Sequence, residues 1–325
     1  MLEIKTAESY ITKNFQNLGS IESIKNLSTG PNSDSYYFQT KNGKYVLRYI
    51  HDHPSSSKIE QSCKILRYLK KNTMSVQDLI NTDNDKFCDS KNFIYVTKFY
   101  EGILSKGTFA EIKDLAMNVA LLHRFLYKTK IKFDFEHDID PSFRILTLFD
   151  INRIRKIIVQ RENKTGFDNK ILNSLEFLKQ IVSEQKKKQI KLRPYKFQLI
   201  HNDLAEKNII FQRNRVKVIL DFDGMKKGDI LEDIAFTSLR FSTINNLKKS
   251  DVEKKIRHFV EHYLEFNDVD ERKLSYLQNY SINDLLSKLS YILKKRYFYN
   301  NNMWIHDFDS LFKLLKCSST ISWPK

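Results

Sequence analysis

The sequence predicts an α+β fold of two lobes: a small antiparallel sheet that carries one helix, followed by a larger, mainly helical lobe. Three observations lead to this fold class. Strand-like runs and a hairpin turn dominate residues 20–102, amphipathic helical periods dominate residues 108–317, and one strand-rich segment at residues 199–236 interrupts those helices. The 325 residues are too many for one small core and suit a two-lobed unit or two domains.

The N-terminal lobe is predicted from β-branched and aromatic runs that follow a helical stretch at residues 5–17. Four such runs are expected to be strands, at residues 20–30, 35–43, 44–50 and 93–102. Asn42 and Gly43 indicate a hairpin turn, because both residue types tolerate positive φ. A helix is expected at residues 53–72, with one apolar face formed by Ile59, Cys63, Leu66 and Leu69.

The C-terminal lobe is predicted from helical periodicity. In residues 108–127, Leu115, Val119, Leu122 and Phe125 recur at about 3.6-residue spacing. Further helices are expected at residues 166–188, 249–267, 270–297 and 305–317. We therefore expect a first lobe at residues 1–97, a connector at residues 98–102 and a second lobe at residues 103–325.

The formal charge of +16 invites a nucleic-acid interpretation, since lysines neutralise phosphates. However, lysines outnumber arginines about three to one, whereas forked contacts to bases and phosphates favour arginine. The lysines are also scattered along the chain, and the dense run at residues 184–196 fits the solvated end of a helix. We therefore expect no nucleic-acid partner, although a basic field could attract a nucleotide or another anionic ligand.

The cysteines and the hydropathy pattern bear on location. Cys63, Cys88 and Cys317 lie far apart without a CxxC pair, which predicts reduced thiols and no zinc site. The N-terminus has no apolar signal region, and no stretch approaches the roughly 20 apolar residues of a membrane span. These features predict a cytoplasmic protein with no membrane partner.

The segment from Leu199 to Phe236 carries the candidate chemistry. Its run "HNDLAEKN" places His201, Asp203 and Asn208 in one loop, and a predicted hairpin then leads to Asp221 at the end of an apolar strand. The hairpin brings Asn208 back near Asp221, so that a carboxylate and an amide oxygen can hold magnesium. Asp203 would face the space beside the metal, accept a hydroxyl proton and hold the hydroxyl in line with a phosphorus atom.

Each of these residues also has an ordinary structural interpretation. A lone Asp or Asn in a loop is usually a turn or cap residue, and a lone histidine such as His201 is more often packed than catalytic. Asp229 and Asp233 could cap the helix that begins near "ILEDIAF". The strict order HxDxxxxN, hairpin, aspartate favours a functional site over these separate explanations.

At this point the sequence resembles a known family. "HNDLAEKN" and "ILDFD" are similar to the catalytic and metal-binding loops of the aminoglycoside phosphotransferase and choline kinase superfamily, which are small-molecule kinases with a protein-kinase-like fold. "GDILEDIAF" is similar to the family's GDxxxDLA segment, and "ALLHRF" to its LHR helix. The resemblance extends from about Ile21 to the last helices and implies an ATP-dependent or GTP-dependent kinase that uses Mg²⁺.

The resemblance implies roles for the loop residues. Asp203 would be the catalytic aspartate that orients the acceptor hydroxyl, and Asn208 and Asp221 would hold Mg²⁺ on the nucleotide phosphates. Asp223 would line the metal site or the acceptor pocket. His201 would brace the catalytic loop from behind rather than transfer protons.

Upstream, the resemblance implies that the first lobe binds nucleotide. Arg48 stands where the family usually has lysine and would meet the α- and β-phosphates, unless it points to solvent from an edge strand. Glu60 is the candidate for the helix glutamate that would pair with Arg48. The turn "STGPNSDSYY" would cover the phosphates, with Ser33 and Ser35 as donors, although an ordinary hairpin turn explains it equally well.

The connector would receive adenine through main-chain groups. Counted back from Gly102, the carbonyl of Lys98 and the amide of Tyr100 are the expected partners, with Thr97 at the back of the pocket.

The expected acceptor is a small hydroxylated metabolite. A protein kinase is disfavoured, because the predicted helix at residues 231–241 follows Asp221 too closely to leave room for a peptide platform. We rank a sugar or amino sugar first, then an amino alcohol such as choline or homoserine, then an aminoglycoside. Five C-terminal aromatic residues could stack on such a ligand or belong to the core: Tyr291, Tyr297, Phe298, Tyr299 and Trp304. The alternative of another class is a catalytically inactive kinase-like binding protein, and the oligomeric state is left open.

Overall fold

The structure, a computed structural model, describes residues 2–29, 33–51, 56–132, 145–187, 195–245, 248–302 and 304–324. Three predicted features fall partly or wholly outside the described residues: the tip of the turn at residues 30–32, the start of the predicted helix at residues 53–55, and the lysine-rich residues 188–194. The chain divides into two compact units. The first comprises Met1–Glu136, Gln198–Lys227 and Glu261–Asp268, and the second comprises His137–Phe197, Gly228–Val260 and Val269–Lys325.

The first unit contains an antiparallel five-stranded sheet. Its strands are β1 (Ile21–Thr29), β2 (Ser33–Thr40), β3 (Gly43–Ile50), β4 (Leu79–Ile80) and β5 (Ile94–Lys98), in the spatial order β1-β2-β3-β5-β4. Thr40 pairs with Gly43, which confirms the predicted hairpin between β2 and β3. Gly43 opens β3 at φ 151°, in the region that favours glycine.

Two helices pack against this sheet: α1 (Ile4–Asn14) and α2 (Ser56–Lys71). One core cluster joins α1 to the sheet and includes Ile11, Phe38 and Leu47. The predicted apolar face of α2 is confirmed, because Ile59, Cys63, Leu66 and Leu69 are all buried. Alternation along β3 buries Leu47 on one side of the sheet and places Arg48 on the other.

The remainder of the first unit carries the candidate chemistry. It contains α3 (Phe109–Lys128), β7 (Ile209–Gln212) and β8 (Arg215–Ile219), of which β7 and β8 form a hairpin. Helix α3 holds this hairpin, since the carboxylate of Asp114 accepts a 2.7 Å hydrogen bond from the backbone amide of Val216. The strands β6 (Phe197–Ile200) and β9 (Lys226–Asp229) lie where the chain passes from one unit to the other.

At Gly102 the backbone of the connector packs closely against β7 of the hairpin. Ile103 and Phe211 exchange two backbone hydrogen bonds, and a Cβ on Gly102 would meet the side chain of Ile210 and lie 2.7 Å from the Phe211 carbonyl oxygen. We expect Gly102→Ala to lower the free energy of unfolding by about 1–3 kcal/mol, because the backbone must move. Urea denaturation measures this, with Gly166→Ala as the control, since a Cβ at Gly166 would meet no other described part of the chain within 4 Å, apart from its chain neighbours and its own helix backbone. Equal denaturation midpoints for the two variants would contradict the expectation.

The second unit is mainly helical. Its helices are α4 (Leu148–Val159), α5 (Gly166–Lys187), α6 (Ile230–Ser242), α7 (Lys249–Leu264, whose last residues belong to the first unit), α8 (Glu271–Leu274), α9 (Leu277–Phe298) and α10 (Phe308–Thr320). Helix α9 contacts α4, α6 and α10. Asp229 begins α6 as its N-cap within a capping box closed by Glu232, which confirms the capping interpretation of this aspartate.

The C-terminal aromatic residues divide between interior and surface. Tyr297 is buried and donates a 2.9 Å hydrogen bond to Asp168, whereas Tyr299 is exposed. Arg153 lies over the ring of Phe298, with 4.3 Å between the guanidinium carbon and the ring centroid. None of the described helices combines the length and apolar character needed to cross a membrane. The antiparallel sheet and the mainly helical remainder confirm the predicted α+β class, and the lobe boundaries at residues 98–102 stay a prediction.

Candidate active site

The loop that follows β6 is closed by one amide side chain. Asn208 donates from Nδ2 to both the backbone carbonyl of Asp203, at 2.9 Å, and its carboxylate oxygen Oδ2, at 2.8 Å. Asn202 begins the loop at φ 67°, a left-handed conformation that asparagine tolerates better than most residues. Asp203 is half-buried, and among the described residues no hydrogen bond reaches its other carboxylate oxygen, Oδ1.

His201 ties this loop to the end of the following hairpin. Its ring is fully buried, its Nδ1 accepts from the Asp203 amide at 3.3 Å, and its Nε2 lies 3.0 Å from the Leu220 carbonyl oxygen. Because Nδ1 accepts, the proton must sit on Nε2 and be donated to Leu220, which assigns a neutral ring. Phe222 packs edge-on at 4.6 Å between ring centroids. The bracing role of His201 stays a prediction, and these contacts are the ones that it would use.

The hairpin places Asn208 beside Asp221, as the sequence predicted. Ile209 pairs with Ile219, and the amide of Leu220 donates to the carbonyl of Asn208 at 2.8 Å. Asp221 then leaves the strand in a left-handed conformation, at φ 63° and ψ 65°. Such a backbone is strained for a residue other than glycine and is typical of functional sites.

The ligand chemistry of this pair fits a hard cation. The Nδ2 of Asn208 is engaged by Asp203, which leaves its Oδ1 as a ligand, and Asp221 uses Oδ1 to accept from Arg48, which leaves its Oδ2. Among the described residues, no group of three or more His, Cys, Asp or Glu side chains could hold a metal ion. One carboxylate and one amide agree with Mg²⁺, which keeps several waters and relies on substrate phosphates.

Arg48 bridges the two aspartates that follow β8. Its Nε donates to Asp223 Oδ2 at 2.7 Å and its Nη2 donates to Asp221 Oδ1 at 2.8 Å, while its side chain is 21% exposed. Burial acts to lower the pKa of Arg48, but the charges of Asp221 and Asp223 outweigh this effect and hold the pKa well above its usual value. Arg48 therefore points toward the candidate metal site rather than to bulk solvent.

Of the other residues predicted to bind phosphate or to support Arg48, Ser35 lies next to Arg48 and Glu60 does not contact it. Ser35 pairs with Arg48 across β2 and β3 and is buried, so the structure brings these two residues together. Ser33 begins β2 beside the undescribed tip of the turn. Glu60 lies elsewhere: it accepts a 2.8 Å hydrogen bond from the hydroxyl of Ser90 and lies 4.0 Å from Lys64. The carboxylates on Arg48 are those of Asp221 and Asp223, so Glu60 is not its partner.

The connector residues lie at the end of β5. Thr97 is buried and pairs with Val46 of β3, and the amide of Lys98 donates to the Asp78 carbonyl at 3.0 Å. The hydroxyl of Tyr100 donates to the Asp78 carboxylate at 2.9 Å. No hydrogen bond joins the backbone amide of Tyr100 to another described residue, which leaves it available to a ligand.

Two residues of the site were missed by sequence reasoning. Tyr95 lies directly opposite Arg48 in the β3–β5 register, and its hydroxyl is 3.1 Å from both carboxylate oxygens of Asp223. Gln77 accepts from the Asp221 amide at 3.3 Å. Neither residue belongs to a motif, and only the strand register could have indicated Tyr95.

Comparison with known proteins places the chain in a family. The model of the phosphotransferase enzyme family matches residues 23–264 of the chain. No match was found among curated protein sequences.

Solved structures show the same fold at low identity. A spectinomycin phosphotransferase in complex with ADP and spectinomycin is 16% identical, with a TM-score of 0.70 and 98% of each chain covered. An amicoumacin kinase in complex with AMP-PNP and Ca²⁺ is 14% identical, with a TM-score of 0.63, and the match covers 92% of this chain and 89% of the other. A choline kinase from Streptococcus pneumoniae is 15% identical, with a TM-score of 0.58 and coverages of 96% and 98%.

These findings confirm the resemblance and the kinase-like fold class that the sequence predicted. The family match covers well over half of the 325 residues and includes the whole segment from His201 to Asp223. The chain therefore belongs to the phosphotransferase enzyme family.

Proposed function

We propose that the protein transfers the γ-phosphoryl group of ATP to a hydroxyl group of a small molecule. The observation that carries this proposal is the position of Asp203, Asn208 and Asp221 at the open end of one hairpin. Asn208 is bonded to Asp203 through its side chain, and its carbonyl accepts from the amide of Leu220, next to Asp221. Phosphoryl transfer depends mainly on positioning and on neutralising charge. Asp203 would supply positioning, and the cation that Asn208 and Asp221 would hold, together with Arg48, would supply the positive charge.

Asp203 is the group that handles the acceptor. Its Oδ2 is fixed by Asn208, so its Oδ1 can accept the hydrogen of the acceptor hydroxyl and orient that oxygen toward the phosphorus atom. His201 keeps the loop in place through its bonds to the Asp203 amide and the Leu220 carbonyl.

The nucleotide is held by main-chain and cationic groups. Arg48 offers a planar, forked donor to the phosphates, and Ser35 lies beside it on the same sheet. The amide of Tyr100 and the carbonyl of Lys98 would pair with the adenine edge, with Thr97 behind. Asn208 and Asp221 would hold Mg²⁺, which when bound neutralises charge on the phosphates.

The acceptor class is proposed from the sequence and from the kinds of relatives. We place a sugar or amino sugar first, an amino alcohol second and an aminoglycoside third. A spectinomycin phosphotransferase and a choline kinase share the fold, which supports testing all three classes together. The cytoplasmic location stays a prediction.

A transfer assay tests the proposal. Purified protein is incubated with γ-labelled ATP, or separately GTP, Mg²⁺ and a panel of sugars, amino sugars, choline, homoserine and aminoglycosides. We expect labelled product from at least one acceptor, and we expect EDTA to abolish transfer because Asn208 and Asp221 alone cannot neutralise the phosphates. Excess Mg²⁺ added back after EDTA should restore the rate.

Two results would overturn the proposal. Nucleotide binding without transfer to any member of the panel would favour an inactive kinase-like binding protein. Steeply salt-dependent binding to DNA or RNA, without nucleotide binding, would favour a nucleic-acid partner instead.

A further inference from the structure

We propose that Asp223, held in place by Tyr95, is the positioning residue that anchors Arg48 for contact with the nucleotide phosphates. The inference rests on the proposed function, because it assigns how one of its binding groups is aimed. In this proposal Asp223 holds Arg48 in position, and it neither binds the metal nor lines the acceptor pocket.

The anchoring contact is the ion pair that Arg48 makes through Nε. Asp223 accepts from Nε at 2.7 Å, and Asp221 accepts from Nη2 at 2.8 Å. The side chain of Asp223 is 21% exposed, so the pair is only weakly screened by solvent. Nε is the donor nearest the aliphatic stem, and fixing it sets the direction of the whole guanidinium plane.

Tyr95 fixes the carboxylate that fixes Arg48. Tyr95 and Arg48 pair directly across β5 and β3, so their side chains leave the sheet on the same face. The Tyr95 hydroxyl lies 3.1 Å from both carboxylate oxygens of Asp223. Tyr95 itself is buried in a core cluster with Ile59 and Cys63. Burial and the charge of Asp223 raise the pKa of Tyr95 well above its usual value, so the hydroxyl keeps its proton and donates it to Asp223.

Helix α2 does not provide the anchor. Its glutamate, Glu60, is engaged by the hydroxyl of Ser90 at 2.8 Å and is 46% exposed. Arg48 is instead held by residues that follow β8, on the same short turn that carries the candidate metal ligand. The direction of Arg48 is thereby coupled to the position of Asp221.

The forked shape of arginine makes this arrangement workable. While Nε donates to Asp223, the terminal nitrogens of Arg48 can donate to phosphate oxygens. Nη2 can release its hydrogen bond to Asp221 and form one to a phosphate oxygen instead. A lysine could also contact a carboxylate and a phosphate, but its three donors rotate about one nitrogen, whereas the planar guanidinium fixes the direction of its other donors once Nε is held. We therefore expect the Nε bond to persist when nucleotide binds and the Nη2 bond to be the one released.

The first experiment observes the anchor directly. Protein with ¹⁵N-labelled arginine should show a slowly exchanging Nε–H signal for Arg48, identified by its disappearance in Arg48→Lys. We expect this signal to be lost in Asp223→Ala, which removes the acceptor, retained in Glu60→Gln, and retained in the wild type when AMP-PNP is added in EDTA. Its loss on adding AMP-PNP, or its survival in Asp223→Ala, would overturn the inference.

The second experiment measures the consequence for transfer. We expect Asp223→Asn to lower kcat about a hundredfold, because a misaimed donor loses transition-state contact even while nucleotide still binds. Tyr95→Phe, which keeps the ring, should lower kcat in the same direction by a smaller factor. Glu22→Gln is the matched control, since Glu22 is exposed on β1 and, among the described residues, accepts a single 3.3 Å bond, from Gln39.

A double variant separates positioning from metal binding. With Arg48→Met already present, Asp223→Asn should cause no further loss, because Asp223 then has nothing to position. If Asp223 bound the metal instead, the losses would multiply and the Mg²⁺ concentration needed for half-maximal rate would rise in Asp223→Asn. Thermal unfolding of each variant identifies any that fail to fold, and for those Tyr95→Phe and the Nε–H signal decide the outcome.

The two levels of failure are distinguishable. A wild-type protein that neither binds AMP-PNP nor transfers phosphate contradicts the proposed function, and the inference falls with it. An active wild type whose Asp223→Asn variant keeps its kcat contradicts the inference alone.

Discussion

Asp203→Asn is expected to lower kcat for phosphoryl transfer by about a thousandfold, within the range that a positioned general base contributes. Asparagine preserves the size of the side chain, and its Oδ1 can still accept the 2.8 Å hydrogen bond from Asn208, so the loop should keep its shape. What it lacks is a second oxygen able to accept the acceptor proton. The affinity for nucleotide should therefore change little, and the loss should fall on kcat.

Steady-state kinetics with the best acceptor, together with calorimetric titration of AMP-PNP, measure these two effects separately. Glu206→Gln is the matched control, because it changes a carboxylate to an amide within the same short helix, Glu206–Asn208, and Glu206 has no proposed role in transfer. A loss of less than tenfold in Asp203→Asn would show that Asp203 is not the base. A parallel loss of nucleotide affinity would indicate a collapsed loop rather than missing chemistry.

Asp168→Asn is expected to lower the free energy of unfolding by about 1.5–3 kcal/mol, because a fully buried carboxylate loses its charge and with it the charge-assisted hydrogen bond to Arg161, which is 28% exposed. Asp168 has no exposed surface and lies in the first turn of α5. It accepts from Arg161 Nη1 at 2.9 and 3.0 Å, from the Tyr297 hydroxyl at 2.9 Å, and from the amide and hydroxyl of Thr165 at 2.9 Å each. An amide can satisfy only some of these donors and leaves Arg161 without its counter-charge.

The pH dependence of this effect has a definite sign. Burial acts to raise the pKa of Asp168, but the hydrogen bonds from Thr165, Tyr297 and Arg161 outweigh it, and the pKa lies below its usual value. A lowered carboxylate pKa stabilises the folded state above the unfolded value of about 4 and loses that effect as pH falls through the folded pKa. The difference between wild type and Asp168→Asn should therefore be largest near neutral pH and shrink in acid.

Urea denaturation at neutral and acidic pH measures both predictions. Asp309→Asn is the control in the same unit, because Asp309 is 53% exposed and pairs with Lys170 on the surface, where ion pairs contribute little. A pH-independent difference between wild type and Asp168→Asn would contradict the assigned charge state. A loss no larger than that of Asp309→Asn would contradict the buried network as a source of stability.

The arrangement of the candidate catalytic loop could be predicted from the sequence, because its residues are close together along the chain. Asp203 and Asn208 are five residues apart, so one loop had to bring them together. The apolar runs on both sides of "QRNR" predicted the hairpin, and the pairing of Ile209 with Ile219 follows from that turn. Asp229 at the start of α6 was likewise readable, since capping depends on residues within one turn of a helix.

The partner of Arg48 could not be read in the same way. Asp221 and Asp223 lie 173 and 175 residues away from it, and no local pattern relates positions that far apart. The sequence offered Glu60 as the neighbouring acid, but the packing of α2 directs that side chain to Ser90.

The sequence by itself determined the class of fold, the candidate catalytic loop and the pair of candidate metal ligands, because short spacings and periodic burial fix local structure. Only the tertiary structure decided that Arg48 contacts the aspartates after β8 and that Tyr95 stands behind Asp223. The physical reason is that strand register and long-range packing, rather than local preference, choose which buried charges meet.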